Sequence, residues 1–151
     1  MNIALNKGDF DINNVYFSEP IKNSIIENSN FIRIMYSNSL MTLNGIYIKI
    51  DFENINKIND FSKQKIIFNT HDNNNNKLIN YIKTIEHNIL EKFNITGKKK
   101  NYKLNEQLIS GYIKHTTDIK CTNSFILKIS GIWESEKDYG LTFKFVEINH
   151  Q

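Results

Sequence analysis

Between Lys77 and Ile95 the apolar residues Leu78, Ile82, Ile85, Ile89 and Phe93 recur every three or four positions. On both sides of that stretch the apolar period falls to two. A spacing of three and four marks one face of an amphipathic helix, and a spacing of two marks a half-buried strand. The chain is therefore expected to hold one long helix, about residues 77–95, set between two groups of strands. Alternating strand–helix units, which would build a parallel sheet, do not fit that order. Thr96-Gly97 supplies a stop for the helix, and the four asparagines Asn73–Asn76 before it are expected to form a loop.

The strand segments can be placed one by one. Val15–Asn23 holds a short strand that Pro20 ends or confines to a sheet edge. Phe31–Tyr36 and Leu40–Phe52 follow, with Gly45 marking a bend or bulge inside the second. Lys63–Thr70 is the last candidate before the helix. Beyond the helix, "NEQLISGYIKHTT" is expected to carry a strand centred on Ile113. "SFILKISGIW" and "YGLTFKFVEI", joined by the polar "ESEKD", are expected to form a hairpin. The sum is a mainly β fold: an OB-fold-like barrel of about five to seven strands with one inserted helix. With 151 residues, the chain is long enough for one hydrophobic core, so residues 1–151 are expected to form a single domain. Residues 1–14 carry little pattern and are expected to be poorly ordered.

Composition narrows the chemistry. Apolar residues make up 40% and charged residues 23%, as in a folded globular chain. The formal charge of +3 permits an anionic partner without demanding one. A lone cysteine, Cys121, excludes an internal disulfide and suits a reducing compartment. The N-terminal residues lack a signal-peptide core, and no apolar run reaches the roughly 20 residues a spanning helix needs. A cytoplasmic protein with no membrane partner is expected. His71, His87, His115 and His150 are scattered and lack metal-ligand spacing with Cys121. There is no phosphate-binding glycine loop and no nucleophile elbow. Catalytic residues, a metal site and a cofactor are therefore not expected, and the chain is read as a binding protein rather than an enzyme.

The candidate binding residues come from the polar faces of the strands. In Ile46–Phe52, Ile46, Ile48, Ile50 and Phe52 face the core, which leaves Tyr47, Lys49 and Asp51 outside. In the strand centred on Ile113, Ile109, Gly111 and Ile113 take the core side and Ser110, Tyr112 and Lys114 the other. In the hairpin, Lys128 and Lys144 point away from the core. Exposed rings and cations on one sheet face suit single-stranded nucleic acid, because rings stack on unpaired bases and cations neutralise phosphates. Lys98, Lys99 and Lys100 either complement the helix dipole or bind phosphate, with Tyr102 beside them. Trp133 has two readings. Strict alternation puts it in the core, whereas a bulge at Gly131 would turn it outward as a stacking platform.

"LKISGIWESEKDYGLTFKF" resembles the C-terminal signature of the single-stranded DNA-binding proteins of nucleocytoplasmic large DNA viruses and their phage relatives. The matching residues are Lys128 to Glu134, then Gly140 to Lys144. "NEQLISGYIKH" and "VYFSEPIKN" are similar to that family's strand after the helix and to its first strand. The resemblance implies an OB-fold that binds single-stranded DNA, largely without sequence preference, during replication of a cytoplasmic DNA element such as a yeast linear plasmid. On that reading, and from the alternation of the strands, Tyr47, Tyr112 and Trp133 are expected to stack on bases and Arg33, Lys49, Lys114, Lys128 and Lys144 to contact phosphates. Lys98, Lys99, Lys100 and Tyr102 would lie at the groove edge. DNA polymerase, other replication proteins and a second copy of the chain are partners left open. Phage members carry an acidic C-terminal tail; the ending "FVEINHQ" holds Glu147 alone, so recruitment through such a tail is not expected. The alternatives are a factor for DNA termini or RNA, and an OB-like module that binds other proteins.

Overall fold

The alternating residues Phe125, Leu127 and Ile129 are all buried, and the strand they belong to organises the fold. The computed structural model describes residues 4–60, 63–115 and 124–147. A short 3-10 turn at Ile12–Asn14 leads into β1 (Val15–Phe17), β2 (Ile21–Lys22), β3 (Asn30–Ser37), β4 (Thr42–Leu43), β5 (Ile46–Asp51), β6 (Asn56–Asp60) and β7 (Lys63–Ile67). Then come α1 (Asn73–Lys92), β8 (Lys99–Asn101), α2 (Lys103–Ile109), β9 (Tyr112–His115), β10 (Ser124–Glu134) and β11 (Asp138–Glu147). The class is mainly β, with a strongly curled half-barrel sheet and two helices.

The larger sheet runs β1-β3-β10-β11-β8, with β2 and β4 attached to β3 and β5 attached to β10; β6-β7-β9 form a second, three-stranded sheet. β10 is long enough to serve two partners on one side. Ser124–Ile129 pair with β5, and Gly131–Glu134 pair with β3. Its whole length pairs with β11 on the other side, with a shift of register between Ile129 and Gly131. That bulge falls where β10 changes partner, and it lets one strand bend from one edge of the curl to the other.

The core lies inside the curl. Ile46, Ile48, Ile50 and Phe52 fill it from β5 and its end, as the alternation requires, and Ile32, Ile34 and Tyr36 fill it from β3. Leu78, Ile82, Ile85 and Ile89 of α1 close it from the other side. Phe52 stacks on Phe68 with centroids 4.1 Å apart.

Several boundaries differ from the sequence-based expectation. α1 begins four residues earlier, because Asp72 caps it by accepting from the backbone N–H groups of Asn74 and Asn75. The asparagine run is thus the first helical turn. Asn75 is fully buried there: its amide donates to the carbonyls of Glu53 and Asn69, and its oxygen accepts from Glu53 N. The helix ends at Lys92, and Gly97, with φ +85°, turns the chain towards β8. β6, β8 and α2 were not expected. In α2, Leu104 and Leu108 are buried four residues apart, a helical spacing inside a segment read as strand. Ile109 is therefore on a helix and 60% exposed, not on the core face of a strand. The strand after it is shorter, with Ile113 buried as expected. Leu5 is buried, and its backbone bonds to Tyr47 and Lys49 on β5.

Candidate nucleic-acid interface

Directly opposed residues of an antiparallel pair share a face of the sheet, so the register fixes what the outer face of the curl carries. One row crosses four strands: Ile21 of β2, Phe31 of β3, Trp133 of β10 and Gly140 of β11. The next row is Arg33, Gly131 and Thr142. Beyond the bulge comes Tyr47, Lys128 and Lys144. Lys49, Ile126 and Val146 follow, and buried Ile126 closes the exposed area.

The bulge decides the question of Trp133. Ile129 and Ile132 are both fully buried, three residues apart, so the strand has changed its inward parity. Trp133 therefore leaves the core and stands, half-buried, on the outer face beside Phe31. Two glycines make room for these rings. A Cβ on Gly131 would lie 2.6 Å from the Phe31 ring, and one on Gly140 would lie 2.9 Å from the indole. Both rings thus lie against bare backbone, and both are only partly buried. Tyr47 similarly passes over Gly45, whose φ is +119°.

Cations border these rings. The Arg33 guanidinium sits 5.9 Å from the Phe31 centroid and donates to Asn44 Oδ1 at 3.2 Å. Lys128 Nζ lies 5.5 Å from the Tyr47 centroid. Among the described residues none of Arg33, Lys49, Lys128 and Lys144 is in an ion pair. Lys128 and Lys144 are directly opposed like charges, an arrangement that costs stability until an anion lies between them.

The other predicted residues are placed elsewhere. Lys98 is not free for phosphate: it binds Glu134 Oε2 at 2.8 Å and the Ser135 carbonyl at 2.7 Å. That hydrogen bond, seconded by Asn30, holds the Glu134 carboxyl below the usual glutamate range. Lys100 pairs with Glu91 at 2.8 Å, which raises the ammonium's pKa and lowers the carboxyl's. Lys99 is exposed on β8 at the sheet edge. None of the three lies in the last turn of the helix, where Lys92 is the basic residue. Tyr102 precedes α2 and stacks near His87, with centroids 6.3 Å apart. Tyr112 and Lys114 lie on the second sheet, where Lys65 Nζ covers the Tyr112 ring at 3.9 Å.

The structure thus joins Arg33, Tyr47, Lys128, Trp133 and Lys144 on one face, with Lys49 at its border. It separates from them Lys98, Lys99, Lys100, Tyr102, Tyr112 and Lys114. Phe31 and Ile21 were missed. Phe31 was legible, since Ile32, Ile34 and Tyr36 alternate with Phe31, Arg33 and Met35. Ile21 acquires its place only through pairing with Phe31, which no local pattern announces. Among the described residues no three His, Cys, Asp or Glu side chains converge as a metal site would require, and no helix is long and apolar enough to cross a membrane. Cys121 and His150 lie outside the described residues. Comparison with family models, with curated proteins and with solved structures gives no match to this chain.

Proposed function

We propose that the protein binds single-stranded DNA on the outer face of its larger sheet, largely without sequence preference. The observation that carries this reading is the pair Phe31 and Trp133, bedded on Gly131 and Gly140, next to the cation row of Lys128 and Lys144. Flat rings offer stacking to any base, worth about 1–3 kcal/mol each. Cations outside ion pairs supply the salt-sensitive phosphate term. The curled half-barrel is read as OB-like, and the C-terminal signature gives the biological setting: protection and organisation of single strands during replication of a cytoplasmic DNA element.

The test is titration of Trp133 fluorescence with a dT oligonucleotide at two salt concentrations. Strong quenching that weakens steeply with added salt is expected, and the single tryptophan makes the source unambiguous. An unchanged signal, together with unchanged anisotropy of a labelled oligonucleotide, would overturn the reading. Once quenching is seen, competition by an RNA of the same sequence shows whether the 2′-hydroxyl matters.

A further inference from the structure

On the helical side of the core, α1 and α2 line an open cavity of about 360 Å³ with Lys83, Thr84, His87, Tyr102 and Asn105. A neighbouring hollow of about 250 Å³ shares Lys83 and Asn105 and extends to His71 and Ile109. The volume falls in the range of small-molecule sites.

Its walls carry complementary functions. The rings of Tyr102 and His87 are within 18° of parallel with centroids 6.3 Å apart, so together they form an aromatic wall. Lys83, one helical turn before His87, is exposed and, among the described residues, not in an ion pair. Asn105 contributes an amide whose Oδ1 is buried and has no hydrogen-bond partner among the described residues. A buried acceptor without a donor is costly and calls for an explanation. Rotation about the soft terminal amide torsion would turn that oxygen to the cavity. The backbone beneath is rigidly held: Glu86, fully buried, accepts from Leu104 N at 3.0 Å and Asn105 N at 2.9 Å.

We infer that this cleft binds a heteroaromatic phosphate, a nucleotide either free or at the end of a nucleic-acid strand. The base lies on the Tyr102–His87 wall, an N–H of the base (the exocyclic amine, in adenine) donates to Asn105 Oδ1, and the phosphate meets Lys83. The site does not depend on the sheet-face reading, since it shares no residue with that face.

Calorimetry with AMP, adenosine and inorganic phosphate, with the full chain, tests it. AMP is expected to bind most tightly, adenosine more weakly and phosphate least. Lys83→Ala should abolish the advantage of AMP over adenosine. His87→Ala, at an exposed position, should weaken both by about tenfold, the scale of one lost stacking partner. A 5′-phosphorylated thymidine dinucleotide competing with AMP assigns the strand-end source, and failure to compete assigns the free nucleotide. No heat from AMP at millimolar concentration, phosphate as tight as AMP, or AMP affinity left unchanged by both substitutions would overturn the inference.

Discussion

The indole of Trp133 lies across Gly140: a Cβ at that glycine would sit 2.9 Å from the ring's Cζ2 and 2.7 Å from the carbonyl oxygen of Asn101. Neither neighbour is a flexible side-chain end, so an alanine there must move a ring or a strand. Gly140→Ala is expected to cost about 1–3 kcal/mol, the usual scale of overpacking. Tilting the indole off its bed should shift Trp133 emission to the red and weaken oligonucleotide binding. Denaturant titration and emission spectra check both effects. An alanine variant of wild-type stability and spectrum would mean that the ring does not use this bed.

Lys128 and Lys144 predict effects of opposite sign on stability and binding. They are cross-strand partners of like charge, so Lys144→Ala should leave the free protein as stable or a few tenths of a kcal/mol more stable. The same change should weaken oligonucleotide binding and make the salt dependence shallower by about 0.7, the share of one phosphate on a single strand. Thermal unfolding and fluorescence titration at several salt concentrations separate the two. A loss of stability without loss of affinity would place these lysines in the scaffold.

What the sequence revealed follows the range of the forces involved. The apolar faces of β5 and the C-terminal hairpin, and the register of α1's buried stripe, are local periodic patterns, and each appears as read. Trp133's orientation depends on the bulge at Gly131, which falls where β10 passes from β5 to β3, a long-range pairing that the local pattern does not contain. The lysines at 98 and 100 could not be sorted from those at 128 and 144 by composition, because only folding brings Glu134 and Glu91 to them. α2 escaped because its two buried leucines mimic neither a long helical stripe nor a strand, and its first turn is capped from α1 by Glu86. Asn75 was hidden in a run of four asparagines, of which it alone is buried.

That buried asparagine gives a further prediction. Asn75 satisfies Glu53 N at 2.8 Å, Glu53 O at 3.0 Å and Asn69 O at 3.1 Å, fastening the turn after β5 to the start of α1. Asn75→Ala strands these backbone groups and is expected to cost about 3 kcal/mol, since each unsatisfied buried group costs about 1–3. Asn74→Ala, at an exposed neighbouring position, should cost well under 1 kcal/mol. Equal losses in chemical denaturation would show that the buried amide of Asn75 is not what holds this turn.

Two glutamates should give stability a maximum in mild acid. Burial pushes the Glu86 carboxyl above its ordinary range despite the N–H groups of Asn105 and Leu104. A carboxyl raised in the fold binds its proton more tightly there than in the unfolded chain. Its contribution therefore grows as pH falls from neutrality through the folded value towards the ordinary glutamate value. Glu134 has the reverse sign. Its carboxyl is held low by Lys98, so the stability it adds is present above the ordinary glutamate value and is lost as pH falls through the folded one. Melting temperature should accordingly rise on mild acidification and then fall. Glu86→Gln, which leaves one of two backbone N–H groups without an acceptor, should lower stability and flatten the rise. Lys98→Ala should shrink the acid limb while leaving the rise intact. A profile already falling from neutrality in the wild type, or an acid limb unchanged by Lys98→Ala, would contradict this account.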